Sequence, residues 1–432
     1  MTSPRTIIEG AVMHWRQTAA VALTVTLNAL DGFDVLSISF ASPGVSKEWG
    51  VDRAALGAVL SMELIGMAVG SVLLGGVADR VGRRPTILGC LAVMAVGMLA
   101  ATTAHDVTTL SLSRVLTGFG IGGMLASINA VAAEFSNAKW KNLALALMVI
   151  GYPLGAVVGG SVSAVLLESG NWRAVFAFGA IVTAVCLPLV WLLIPESPAY
   201  LDERRPKGAL AKINRTLASF GHTTLAGLPD PAPAAAKRSV FDIFGPGLIA
   251  TTLLVTLAYF AHIVTFYFIL KWIPKIVVDM GFVPSAAAGI LVWANVGGAS
   301  GGAVFGLLAQ RFSLKMLTIG TLLLSSVMVI FFGSGQSTLA QLAAVACAVG
   351  FFTNSGVVGL YSIFARAFPT HVRATGTGFA VGVGRGGAAL APYLAGVLFN
   401  GGWSLQSVAT LMAIGSLAGA AALGFLQLRA AK

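Results

Sequence analysis

The 432 residues are 57% hydrophobic and only 10% charged, with a mean hydropathy of +0.88, whereas a soluble domain carries about a quarter charged residues. A soluble globular fold is excluded, and what remains is a chain that crosses a membrane many times. The formal net charge of +11 does not point to nucleic acid, because the cations gather between alternate apolar segments, as anionic lipid on one membrane face selects.

Twelve apolar segments follow in chain order, at about 17–40, 55–77, 86–104, 108–132, 142–166, 174–194, 246–270, 286–309, 316–334, 338–364, 375–399 and 404–427. An even number puts both termini on one side, and the cation bias places that side in the cytoplasm. Only Lys47, Arg53, Arg173, Lys271 and Lys275 fall on the outer side, and Arg114 and Arg385 fall inside spans. Met1 to Gln17 holds no small-residue cleavage site, so the first apolar run is expected to stay as a helix. Residues 195–245 are rich in cations and contain Pro229-Asp230-Pro231-Ala232-Pro233. They read as a cytoplasmic linker, with a short amphipathic helix near 209–220, between a six-helix half (1–194) and a second one (246–432). Cys90, Cys186 and Cys347 all sit in apolar spans and suggest neither a disulfide framework nor a metal site. No cofactor is implied.

The chemistry lies in the few charges that the spans contain. Asp31-Gly32-Phe33-Asp34 is the ionisable part of the first span. A charge at the bilayer centre costs roughly 2.5–3.5 kcal/mol on insertion scales, and a spacing of three puts both acids on one helix face. That face is expected to look into a protein-lined, wet cavity. Arg114 lies roughly 7–10 Å inside the fourth span, level with the acids in the outer part of the first. Pairing of Arg114 with Asp31 and Asp34 is therefore expected, one acid staying ionised while the other titrates. Arg385, near the middle of the eleventh span, has a fork suited to a carboxylate: either the substrate's or that of Asp31, Asp34 or Glu63. Glu63 reads as a hydrogen-bonded helix contact or a second proton carrier, the contact being preferred.

Candidate substrate contacts are Phe33, between the acids, and His262, Trp293 and Tyr361, with Asn295 and Asn354 as partners for a ring hydroxyl. Tyr259, Phe266, Tyr267, Phe268 and Phe352 could also sandwich a ring, and a histidine such as His262 is more often a packed, hydrogen-bonded residue than a proton relay. Trp172, Trp272 and Trp403 read as interfacial belt residues. Gly118/Gly120/Gly123 and Gly382/Gly384/Gly387 match G-x-G-x-x-G inside apolar spans, so they read as close-packing helix faces rather than dinucleotide sites.

Gly75-Gly76-Val77-Ala78-Asp79-Arg80-Val81-Gly82-Arg83-Arg84-Pro85 is the most specific stretch, a tight turn with an acid at a helix end and several guanidinium groups. A weaker copy, Gly306-Leu307-Leu308-Ala309-Gln310-Arg311, follows the eighth span in the same register, with Gln310 where the first copy has its acid. The sequence resembles the major facilitator superfamily at this loop and over essentially its whole length. That resemblance implies an all-α membrane protein of 12 transmembrane helices, two six-helix halves around a central cavity. It also implies a gate of Asp79, Arg80 and Arg83, which Glu134 is expected to join, with Asp79 meeting a helix of the other half. Together with Pro195-Glu196-Ser197-Pro198 and Gly382-Val383-Gly384-Arg385-Gly386, the Asp-Gly-Phe-Asp motif resembles the aromatic acid/proton symporter family within it. The implied intramembrane acids are Asp31 and Asp34, and the functional arginines are Arg114, Arg373 (grouped here with the gate) and Arg385. The expectation is a non-enzymatic, monomeric symporter of a bacterial inner membrane, taking up a benzoate- or hydroxybenzoate-type anion with protons. Alternatives within transport are a carrier of an aliphatic dicarboxylate, muconate or sugar acid, and a drug efflux antiporter. Protons and membrane lipid are the other expected partners.

Overall fold

The computed structural model describes residues 3–229, 240–369 and 372–427. Of the expected linker stretch Pro229–Pro233, everything after Pro229 lies outside the described residues. The chain forms helices α1 (Pro4–Gly10), α2 (Trp15–Trp49), α3 (Arg53–Gly75), α4 (Ala78–Val81), α5 (Arg83–Thr102), α6 (Val107–Phe135), α7 (Lys141–Leu166) and α8 (Arg173–Leu193). After α9 (Pro198–Arg204) and α10 (Ala209–Ser219) come α11 (Ile249–Asp279), α12 (Pro284–Leu308), α13 (Leu314–Gly333), α14 (Leu339–Ala367), α15 (Arg373–Asn400) and α16 (Leu405–Phe425). Twelve of these are long and apolar enough to cross a membrane, and each overlaps one expected segment, although the first and the seventh run on to Trp49 and Asp279, past the expected ends at 40 and 270. The amphipathic α10 also falls where expected, its Ile213 and Leu217 packing with Tyr200, Leu201 and Ile8.

Polar residues at the turns set where the helices start. The carboxylates of Asp52 and Asp106 accept the main-chain N–H of Ala55 and Thr109, each at 2.7 Å, and so cap α3 and α6. Small residues set how closely the helices pack. A Cβ on Gly32 would run into the main-chain carbonyl of Tyr152, and one on Gly155 into that of Ala29, so α2 and α7 touch backbone to backbone. In the sequence, Gly32 looks like part of an acidic motif; in the fold it is the contact point of a helix crossing.

α2, α3 and α5–α8 make one half and α11–α16 the other. The halves meet where α3 packs on α15, α7 on α12 and α2 on α11. Those contacts lie on the side away from the described chain ends. A Cβ on Gly57 would come within 2.6 Å of the Pro392 carbonyl and 3.0 Å of Gly396. The Trp272 indole donates to the Pro392 carbonyl at 3.1 Å. Arg53 pairs with Asp279 at 3.1 Å. Trp172 and Trp272 are fully buried rather than interfacial, because each is used for packing between helices. On the side of the chain ends the halves diverge and enclose a cavity.

Candidate functional site

The cavity measures about 320 Å³, the lower end of the range for small-molecule sites. It is lined only by the middles and chain-end portions of the helices: Asn28 of α2, Met67 of α3, Asn129 of α6, Met148, Tyr152 and Pro153 of α7, Tyr259, Phe266 and Tyr267 of α11, Asn354 and Tyr361 of α14, and Arg385 of α15. Its aromatic surface has a local cause. Gly384 has no side chain, so the Tyr259 ring lies directly on α15 beside Arg385. The Tyr259 hydroxyl hydrogen-bonds that of Tyr361 at 3.0 Å, and the two rings lie 5.6 Å apart between centroids with their planes tilted by 39°. Asn354 donates to the Gly298 carbonyl at 2.7 Å, which fixes its amide at the wall. Arg385 has no ion-pair partner among the described residues and lies within Coulombic reach of Asp31.

Asp31 and Asp34 are not cavity-lining residues. Both lie near the middle of a first span longer than expected, Trp15–Trp49, rather than in its outer part. Their side chains are 1% and 0% exposed, behind the wall formed by Asn28 and Tyr152, and none of the four carboxylate oxygens has a hydrogen-bond partner. Arg114 does not pair with them. It is fully buried, ion-paired with Glu63, and its contact at Asp34 is with the main-chain carbonyl, at 3.0 Å. It also points at the Met98 sulfur at 3.1 Å and lies 5.2 Å over the Phe176 ring. The other Glu63 oxygen faces the Lys271 ammonium at 3.5 Å, and Lys271 donates to the Val35 carbonyl. Glu63 thus answers two cations, one from each half, and Lys271 is a buried core residue rather than an external one. A clue was available: the apolar run continues past Lys271 through Trp272, Ile273 and Ile276, to the end of a 31-residue helix.

Four candidate substrate contacts fall away from the cavity. His262 is fully buried between the Ser416 hydroxyl and the Thr353 carbonyl, both at 2.8 Å. Asn295 donates back to Leu291 of its own helix at 2.9 Å. Phe33 packs edge-on to Phe178 at 5.3 Å. Trp293 is 51% exposed outside the cavity lining. Each lies on a span with apolar residues on every face, so the sequence gives no direction for the side chain. Tyr361, Asn354 and Arg385 do meet at the cavity. Asn28, Asn129 and Tyr152 join them although the sequence did not single them out, and only their polarity within apolar spans could have marked them.

At the chain-end face, Arg83 pairs with Asp79 at 2.9 Å and lies 3.6 Å from Glu134. The Glu134 carboxylate in turn accepts from the Ser197 hydroxyl. Gly82, at a φ of +116°, turns the chain so that Glu196 accepts the Arg83 N–H at 3.0 Å, and a side chain there would strike that carboxylate. Burial raises the Glu196 carboxyl above its usual range, against the backbone donors and Arg83 that lower it. Asp79 meets Arg83 of its own half and not a helix of the other. Arg80 is exposed and enters the network only through its carbonyl, which accepts from Tyr200 at 2.9 Å. Arg373 is exposed and, among the described residues, reaches the Phe368 carbonyl at 3.4 Å and no acid. No group of three His, Cys, Asp or Glu suited to a metal occurs among the described residues.

Two six-helix halves that seal on one side and enclose a polar, aromatic cavity on the other define a membrane transporter. Residues 24–306 match the family model described as Major Facilitator Superfamily. The chain is 30% identical to the 4-hydroxybenzoate transporter PcaK of Pseudomonas putida over 93% of its own length and 90% of the relative's. It is 28% identical to the gallate transporter of the same species, over 96% and 93%, and 28% identical to the benzoate transport protein of Acinetobacter baylyi, over 90% and 84%. The fold is similar to the inward-open xylose transporter XylE of E. coli, with a TM-score of 0.73 at 17% identity over 96% of this chain and 98% of that one. The chain belongs to the Major Facilitator Superfamily and, within it, to the group of aromatic acid transporters; it is a multi-pass membrane transporter and not an enzyme.

Proposed function

We propose that the protein imports a monocyclic aromatic carboxylate together with protons by alternating access, as a monomer in a bacterial inner membrane with both termini in the cytoplasm. The observation that carries this reading is Arg385, a guanidinium at an aromatic-walled cavity between the halves with no ion-pair partner among the described residues. A planar fork binds a carboxylate through two parallel hydrogen bonds. The rings of Tyr259, Tyr267 and Tyr361 supply faces for an aromatic ring, and Asn354 stands at the same wall for a ring hydroxyl. The names of the relatives, which include hydroxybenzoate, gallate and benzoate transporters, support the same substrate class.

The charges give a reason for protons. Asp31, Asp34 and Glu63 face Arg114, Lys271 and Arg385, so the set is balanced when all six are ionised. A bound carboxylate adds one negative charge, and a proton on Asp31 offsets it by removing the competing anion from Arg385. Inward movement of the anion alone against a negative interior costs about 2.3 kcal/mol per 100 mV. Proton entry cancels that. Arg83, with Asp79 and Glu134, is assigned to the cytoplasmic gate, unlatched between the halves in this state.

The test is uptake of labelled 4-hydroxybenzoate, benzoate, muconate and an aliphatic dicarboxylate by proteoliposomes, with and without an acid-outside gradient. Gradient-driven accumulation of the aromatic monocarboxylates is expected. Accumulation of the aliphatic acids alone, or uptake indifferent to the gradient, overturns the reading.

A further inference from the structure

The Lys271 ammonium has come out of water into the opposite half of the molecule. It is carried by α11, yet both of its partners, the Glu63 carboxylate of α3 and the Val35 carbonyl of α2, belong to the first half. Among the described residues, the other polar links between the halves on the sealed side are of a weaker kind. Arg53–Asp279 lies at the rim with its arginine side chain 44% exposed, where ion pairs contribute little, and Trp272 to the Pro392 carbonyl is a neutral hydrogen bond. The remainder is apolar closeness: a Cβ on Gly160 would touch Phe40 and Val292, each at 2.7 Å. A buried ammonium differs in kind, because it cannot be left in an apolar seam without an anion.

We propose that Lys271 is the residue that latches the two halves on the sealed side, and that it exchanges Glu63 for water when that side opens. The inference rests on the alternating-access reading, since only a seam that opens needs a releasable bond. Glu63 is built for the exchange. One of its oxygens is held permanently by Arg114 of the same half, so the carboxylate stays paired after Lys271 has left. Lys271 also sets the depth of the acid-bearing helix. Its grip on Val35, the residue after Asp34, means that opening the seam releases α2 where Asp31 and Asp34 stand. Lys271 is thus a positioning residue for coupling and touches no substrate.

Lys271→Met tests this, because the side chain keeps its length and Glu63 keeps Arg114, so no buried carboxylate is stranded. Spin labels on Lys47→Cys and Val283→Cys, with Cys90, Cys186 and Cys347 replaced, report the distance across the sealed face in the full chain in liposomes. The separated population is expected to rise about tenfold relative to the closed one. Net proton-driven uptake of 4-hydroxybenzoate falls, and Lys271→Arg restores both. Lys271→Gln serves the same purpose if the methionine variant does not insert. An unchanged distance distribution in a variant that melts early, or unchanged distances with unchanged uptake, overturns the latch and leaves the transport reading standing. Lengthened distances in Lys271→Met, with a wild-type protein that moves none of the aromatic acids, support the latch and sink the transport reading.

Discussion

Replacing Glu63 by Gln is the sharpest test of which carboxylate holds the buried cations. The change leaves the volume of the side chain intact and removes its charge. Arg114 then keeps the Asp34 carbonyl and the Met98 sulfur, at 3.0 and 3.1 Å, the Phe176 ring and at most a neutral amide oxygen, and Lys271 keeps the Val35 carbonyl, so neither cation faces an anion at this position. Both cations are fully buried, and removing one member of such a cluster costs about 3–5 kcal/mol. Asp34→Asn is the matched control. Its carboxylate accepts no hydrogen bond, and the Arg114 contact at that residue is with the main chain, so stability should stay within about 1 kcal/mol of wild type. Thermal unfolding of the purified protein in detergent should place Glu63→Gln clearly below both Asp34→Asn and wild type. Equal losses in the two variants, or a wild-type melting temperature in Glu63→Gln, would mean that Arg114 answers the acids of the first span after all.

Arg385→Lys keeps the charge but loses the fork, and should raise the KM for 4-hydroxybenzoate by about tenfold, with Arg385→Ala lacking measurable saturable uptake; a lysine variant with unchanged KM would remove the carboxylate from this arginine. Gly32→Ala gains helix propensity but puts a methyl group into the Tyr152 carbonyl, so a net loss of about 1–3 kcal/mol is expected; a neutral or higher melting temperature would deny the close crossing of α2 and α7. The raised Glu196 carboxyl contributes stability that is complete below its unfolded value of 4.5 and fades as the pH rises through the raised folded value. Melting temperatures measured from pH 4 to 8 should therefore fall more steeply with rising pH in wild type than in Glu196→Gln, and parallel curves would contradict the buried position. Arg83→Ala, by freeing Asp79 and Glu134 together, should expose the chain-end loop to faster hydrogen exchange at residues 76–84; unchanged exchange there would show that the network does not hold the loop.

Much of the site's composition could be read before its geometry. Charges are so costly in apolar spans that Asp31, Asp34, Arg114 and Arg385 announce themselves, and the loop around Asp79 and Arg83 carries its own turn chemistry. Their pairing was another matter. Glu63 and Arg114 come together because Gly66 and Gly118 let α3 and α6 lie backbone to backbone, which no spacing along one helix can show. His262, Asn295, Phe33 and Trp293 failed as cavity residues for the same reason: a span apolar on all sides does not reveal which side faces a neighbour and which faces lipid.

The sequence alone determined the number of spans, their approximate places, the repeat of the loop at the end of the second and eighth, and the poverty of ionisable groups within them, because length, hydropathy and the cost of bare charge in a bilayer act locally. Only the tertiary structure decided that Lys271 belongs to the core, that Glu63 and not the acidic pair answers Arg114, and that Arg385 reaches the cavity with no ion pair among the described residues. Partners for buried charges come from other helices, and which helix arrives is settled by packing over the whole molecule.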